Sequence, residues 1–228
     1  MNNCKRRDII ICDELKNRMF DYFEVNMTGT LSIAGVFRPR SDRAALVYDL
    51  SLITAGSMII ALSAQLAFVT RFSPVPITGQ TFAVLMLAAL LGARRGGLCI
   101  LLYLAEGAAG LPVFTGGGST IAWMVGPTGG YLFGFFVAAV LVGWLAEHGW
   151  DRHIGTTILA MLAGNVCILG FGALWLAVLM TSGRMQGGFD GLLKLGVYPY
   201  IAGDIIKVIV AAMLLPGGWK LLNRYKGK

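Results

Sequence analysis

One stretch, "TTILAMLAGNVCILGFGALWLAVLM" from Thr156 to Met180, carries no charged side chain at all. Several runs like it constrain the fold more than any motif does. A straight crossing of a bilayer needs about 20 predominantly apolar residues. Backbone amides in lipid have no water to bond to, so such segments are satisfied only as helices or closed barrels. The runs predict six helical spans, at about 46–70, 79–93, 97–110, 128–147, 155–181 and 198–216. The second and third are short for a crossing and fit only if they tilt or pack among the others. Composition agrees: 56% of residues are hydrophobic and 14% charged, with mean hydropathy +0.70, where soluble domains carry roughly 25% charged residues. The expected class is all-α, a polytopic membrane protein built as a six-helix bundle. It divides into a tail over 1–45, a membrane domain over 46–222 and a short tail over 223–228.

The tail over 1–45 mixes basic and acidic residues, and its only apolar run, "IIIC", is too short to span. It reads as a disordered cytoplasmic segment or as an amphipathic helix on the inner surface. Met27 offers a third reading, as the true start, with the stretch before it not translated. The net charge of +7 does not point to nucleic acid, because the basic residues gather at the ends and in short loops. Of the 19 Lys and Arg, only Arg71, Arg184 and Lys194 fall in segments on one side, with Lys207 inside a span. The rest lie on the side of both termini, and the positive-inside rule makes that side cytoplasmic. No P-loop pattern occurs, so ATP-driven work would need another chain. Cys4, Cys12, Cys99 and Cys167 are scattered, without a CxxC pair. His148 and His153 are five apart in a loop. Neither set suits a metal or a disulfide framework, and no cofactor is implied.

Two charges interrupt the last span, "YPYIAGDIIKVIVAAMLLPGG" from Tyr198 to Gly218. An ionised group at the bilayer centre costs about 2.5–3.5 kcal/mol on insertion scales. Asp204 and Lys207 are three apart and share a helix face. They form a mutual salt bridge, or they line a polar pocket for a solute with both N–H donors and an anion, or both. The Asp would accept N–H groups; the Lys would meet a carboxylate or hold the Asp ionised. Glu106, in "LLYLAEGAAGLP", is a third ionisable group near the outer end of its span. Asp49 is expected at the inner interface, and Asn165 reads as a polar bridge between helices.

The outer loops add further groups. "SPVPITGQT" places Thr78 and Gln80 at the start of the second span, with Pro74 and Pro76 holding the turn extended. "GPTGGYLFG" opens the fourth, with hydroxyls on Thr128 and Tyr131. Tyr103, Phe114, Trp123, Tyr198 and Tyr200 lie at the same level. Most belong to an interfacial belt, and two or three could wall a flat ligand. Ser57-xxx-Ala61 in the first span is a small-residue seam, for packing inside the chain or for docking a membrane partner.

Taken in order, "FSPVPITGQTFAVLMLAALLG", "LYLAEGAAGLPVFTGGG", "GPTGGYLFGF" and "YIAGDIIK" resemble the BioY family, the biotin-binding S components of energy-coupling factor (ECF) transporters. The resemblance runs from about Ala44 to Leu222. It implies a multi-pass protein of a bacterial cell membrane with both termini cytoplasmic, which captures biotin in an outward-facing pocket. It also implies partners, one membrane coupling subunit and two ATPase subunits. The chain would be a binding subunit for biotin uptake, not an enzyme. Asp204 matches the family's "GDxxK" aspartate and would accept ureido N–H bonds, and Lys207 matches its lysine. Thr78, Gln80, Tyr103, Thr128 and Tyr131 are carried over as further substrate-binding residues. The loop from Leu111 to Thr120, with Phe114, Gly116, Gly117 and Gly118, resembles the lid. Ser57 and Ala61 would dock the partner. Other readings are an S component for another vitamin, an intramembrane enzyme using Glu106, Asp204 and Lys207, or an assembly subunit.

Overall fold

Six helices of twelve residues or more follow the apolar runs in order. The computed structural model describes residues 32–68, 75–184 and 189–226. The segment through residue 31, Arg71 and the Pro74 turn therefore lie outside the described residues. A short α1 (Ile33–Val36) is capped by Ser32, whose Oγ accepts from Gly35 N at 3.3 Å and donates to Leu91 O. The long helices are α2 (Asp42–Gln65), α3 (Gln80–Leu91), α4 (Ala93–Ala108), α6 (Gly129–Glu147), α7 (Ile154–Thr181) and α9 (Tyr198–Lys226). Between them lie a two-residue antiparallel ribbon, β1 (Ala67–Phe68) with β2 (Ile77–Thr78), the short α5 (Ile121–Met124) and α8 (Phe189–Gly196).

By length and composition, α2, α6, α7 and the stretch Gly191–Arg224 can each cross a membrane. Large apolar side chains remain exposed around the outside, among them Leu62, Val166, Leu174, Ile206 and Met213. A monomeric soluble protein rarely exposes such a continuous apolar surface, so this is a membrane protein whose outer wall faces lipid.

The two short helices are an inner hairpin. At 1.5 Å per residue, α3 is about 18 Å long and α4 about 24 Å, less than the roughly 30 Å hydrocarbon core. Gly92 joins them at φ 86°, a conformation that favours glycine. The α4 N-terminus is capped from another helix, since Ala93 N donates to Glu147 Oε1 at 3.0 Å. Gly143 of α6 lies directly against Gly92 and Ala93, so a side chain there would push α6 off the hairpin. Ala88, Ala89, Ala138 and Ala139 are fully buried where α3, α4 and α6 meet. Small side chains let these backbones approach and hold by dispersion, because lipid offers no hydrophobic drive between helices.

At the end of the bundle that holds the Gly92 turn, Asp49 pairs with Arg95 at 2.7 Å and Arg38 at 3.2 Å. Helix α9 runs on past Pro216, where the sequence pattern ends the span. Its extension is tied down: Trp219 Nε1 donates to buried Asp151 Oδ2 at 2.5 Å, and Arg152 stacks on the Trp219 ring at 4.5 Å. These contacts stabilise helix that a proline would otherwise terminate. Asn165 departs from its expected role, since its Oδ1 is buried in α7 and meets no donor.

Candidate functional site

At the opposite end, the starts of α3, α6 and α9 and the 113–128 loop surround a cavity of about 550 Å³, counted to its mouth. Thr78, Gln80, Tyr103, Thr128, Tyr131, Asp204 and Lys207 all line it, together with Phe114. Positions up to 129 residues apart in the chain are thus brought to one place.

The charged pair forms the polar floor. Lys207 Nζ donates to Asp204 Oδ1 at 3.1 Å, to Thr81 Oγ1 at 2.6 Å and to Thr78 O at 2.9 Å. An ammonium has three N–H donors, so all three are engaged within the chain. Thr81 Oγ1 donates in turn to Asp204 Oδ1 at 3.2 Å. The other carboxylate oxygen, Asp204 Oδ2, is buried and meets no donor. A buried acceptor without a partner is costly. Here it belongs to a side chain that lines the cavity, with Lys207 Nζ 3.1 Å from its other oxygen.

A second polar group sits where α3 meets α4. Gln80 Nε2 donates to the hydroxyl of fully buried Tyr103 at 2.7 Å. Gln80 Oε1 lies 3.4 Å from the hydroxyls of both Thr78 and Thr115. The side wall is aromatic. Tyr131 of α6 fits a notch at Gly172 of α7 and donates to Gly196 O at 2.7 Å. Its ring lies 5.9 Å from that of Tyr200, which donates to Val75 O. Thr128 donates weakly to Trp123 O at 3.4 Å and sits at the head of α6.

The loop expected as a lid contributes Phe114 and Thr115 to the cavity wall. Phe114 is buried, its ring seated in a notch left by Gly107 and edge-on to Tyr103 at 5.4 Å. Gln65 Nε2 holds the Phe114 carbonyl at 3.1 Å. Gly116 and Gly117 turn the chain at φ 67° and 74°, and Gly118 lies against the Trp123 ring. Of these four lid residues, Phe114 reaches the cavity, and the three glycines shape the turn above it.

The BioY family model matches residues 35–224. The chain belongs to the BioY family. Among its relatives, the biotin transporter BioY2 of Lactococcus lactis subsp. cremoris (strain MG1363) is 39% identical over 167 residues, covering 73% of this chain and 87% of that protein. The biotin transporter BioY of Rhizobium etli (strain CFN 42) is 36% identical over 165 residues, covering 69% and 85%. A solved relative, the S-component for biotin from an ECF-type ABC transporter, aligns with a TM-score of 0.66 at 26% identity, covering 80% of this chain and 95% of that one.

The structure places Ser57, Ala61 and Glu106 away from the cavity. Ser57 is fully buried and donates a short hydrogen bond to Glu106 Oε2, and Ala61 is half-buried. This seam packs inside the BioY fold, where small side chains let α2 lie against α4, and Ser57 presents nothing to a partner. Glu106 is occupied by Ser57 and does not line the cavity with Asp204 and Lys207, so the three do not form one catalytic set. Thr81 and Thr115 line the cavity without having been singled out from the sequence. Thr81 had a signal: a buried ammonium needs acceptors, and Thr81 is a hydroxyl one residue beyond Gln80, on a helix that starts at the same level.

Proposed function

We propose that this chain is the membrane-embedded binding subunit for biotin uptake, opening outward and delivering its ligand inward with an ATP-driven ECF module. The observation that carries this is Asp204 Oδ2, a buried acceptor on a cavity-lining residue with no donor among the described residues. Biotin's ureido ring has two N–H donors and a carbonyl, its thiophane ring is apolar, and its tail ends in a carboxylate. The ureido end fits the floor. Asp204 Oδ2 accepts one N–H, a charge-assisted bond, and the Gln80–Tyr103–Thr115 cluster offers both donors and acceptors to the rest of the ring. Tyr131, Tyr200, Phe114 and Phe135 flank the apolar body. Lys207, with its three donors engaged, holds Asp204 in place rather than meeting the carboxylate. The tail then points to the mouth, beneath the lid, where Thr128 carries a hydroxyl.

In this reading the chain binds and does not catalyse. A membrane coupling subunit and two ATPase subunits supply the energy, both termini are cytoplasmic, and the cavity faces outward from the cell membrane. The charge bias of the loops supports that orientation. The test is binding of radiolabelled biotin to the purified chain, with two competitors. Desthiobiotin keeps the ureido ring, and lipoate keeps only the acid tail and a sulfur ring. Stoichiometric binding displaced by desthiobiotin and not by lipoate is expected, with loss in Asp204→Ala. Equal displacement by lipoate, or full retention in Asp204→Ala, would overturn the assignment.

A further inference from the structure

A second, smaller cavity lies on the cytoplasmic side of the charged pair. It is about 190 Å³ including its opening. Thr81 and Leu85 of α3, Met161 and Asn165 of α7, and Lys207 and Ala211 of α9 line it. Thr81 and Lys207 line both cavities, so the hydrogen-bonded set that floors the upper cavity roofs the lower one.

Asn165 is 5% exposed, and its Oδ1 meets no hydrogen-bond donor. The neighbours in the cavity supply none. All three N–H groups of Lys207 are engaged by Thr78 O, Thr81 Oγ1 and Asp204 Oδ1. The single hydrogen of the Thr81 hydroxyl goes to Asp204. The other lining side chains are apolar. Thr81 Oγ1 does retain an acceptor position, because a hydroxyl oxygen has two and Lys207 fills one. The lower cavity therefore presents two unmatched acceptors, and among the described residues no neighbour of Asn165 there has a free donor. Water supplies two donors, makes about three bonds when buried, and takes a share of liquid volume of about 30 Å³.

We propose that the lower cavity is a hydration site, in which a buried water donates to Asn165 Oδ1 and to Thr81 Oγ1. Asn165 is then a positioning residue for the ligand pocket. With both acceptor positions of Thr81 filled, from Lys207 and from water, its hydrogen has one direction left, toward Asp204 Oδ1. The water thus fixes the rotamer of the hydroxyl that holds the ligand-accepting carboxylate. This consequence rests on the biotin reading of Asp204; the hydration site itself does not.

Two readouts separate the parts. In a high-resolution crystal structure of the ligand-free protein, ordered density within hydrogen-bond distance of Asn165 Oδ1 is expected, and it is lost in Asn165→Leu. A dry cavity in the wild-type protein overturns the proposal, whatever the protein binds above it. For the positioning role, biotin affinity is measured in Asn165→Leu, Thr81→Val and the double variant. Asn165→Leu is expected to weaken biotin about 3- to 10-fold alone and less than 2-fold when Thr81 is already Val, the signature of action through one partner. An equal loss in both backgrounds overturns it. Asn165→Ser keeps an acceptor and leaves room for water, and it is expected to bind within 2-fold of wild type. A loss as large as that of Asn165→Leu also overturns the role. If wild-type protein binds no biotin while the density is present, the functional reading fails and the hydration site stands.

Discussion

Replacing Asp204 by Asn keeps the side chain's size and removes its charge. In the structure Asp204 Oδ1 is held by Thr81 and Lys207, and Oδ2 is the atom left for a ligand. A hydrogen bond to a charged acceptor is worth about 1.5–3 kcal/mol. At about 1.4 kcal/mol per tenfold, losing its charged character weakens the ligand by about 10- to 150-fold. The upper part of that range applies if the new amide turns its NH₂ toward the ligand's own N–H. Burial supports a value well above that of a surface pair, since the Asp204 side chain is 7% exposed and that of Lys207 is 21%. The assay is equilibrium binding of biotin and of biotinamide to wild-type and Asp204→Asn protein in nanodiscs, with melting temperature as the control for folding. The proposed placement sets Asp204 against the ring and not the tail, so both ligands are expected to weaken by the same factor. Binding within threefold of wild type, or a loss confined to biotin, would refute the placement of the ureido group on Oδ2.

The same geometry makes further predictions. Lys207→Met removes the partner of a buried carboxylate, a change that costs about 3–5 kcal/mol in buried pairs. Biotin and biotinamide should both lose at least tenfold, and a loss specific to biotin would show that Lys207 meets the carboxylate. Gly107→Ala drives a Cβ into the Phe114 ring and disrupts the edge-on contact with Tyr103. Such a contact is worth about 0.5–1.5 kcal/mol, so biotin should dissociate about 2- to 10-fold faster in stopped-flow or filter assays. Asp151, in the turn between α6 and α7, has its carboxyl raised above the ordinary 3.8, by burial first, with the Trp219 bond opposing. The folded state therefore holds this proton more tightly than the unfolded state. Its contribution to stability is full below pH 3.8 and is lost as pH rises through the raised value. Melting curves of Asp151→Asn should lack that decline, and an unchanged pH profile would remove Asp151 as its source.

Much of this could be read from the chain, because membrane helices advertise themselves. The expected span 128–147 is α6 (Gly129–Glu147) and the expected span 155–181 is α7 (Ile154–Thr181), since the one charge in either is Glu147, the last residue of α6. Asp204 and Lys207 stand out for the same reason, as charges that lipid would reject. What sequence spacing does not carry is the identity of a partner from a distant helix. The Thr81 bond to Asp204 spans 123 positions. The burial of Ser57 on Glu106 spans 49, which is why a small-residue seam read equally well as an outer docking face. Helix α9 outruns its pattern because Trp219 is anchored by Asp151, a contact that local propensity at Pro216 does not anticipate. Asn165 was expected to bridge helices on composition alone; whether such a group finds a donor depends on what faces it in three dimensions.

The central claim is an orientation: a urea group rests on Asp204, and an acid tail lies at the mouth. A high-resolution structure of the biotin complex measures it directly. The account predicts a ureido nitrogen at a hydrogen-bond distance, about 2.7–3.2 Å, from Asp204 Oδ2, with Lys207 still bonded to Thr78, Thr81 and Asp204. A carboxylate seated on Lys207, with the ring turned toward the lid, would contradict it.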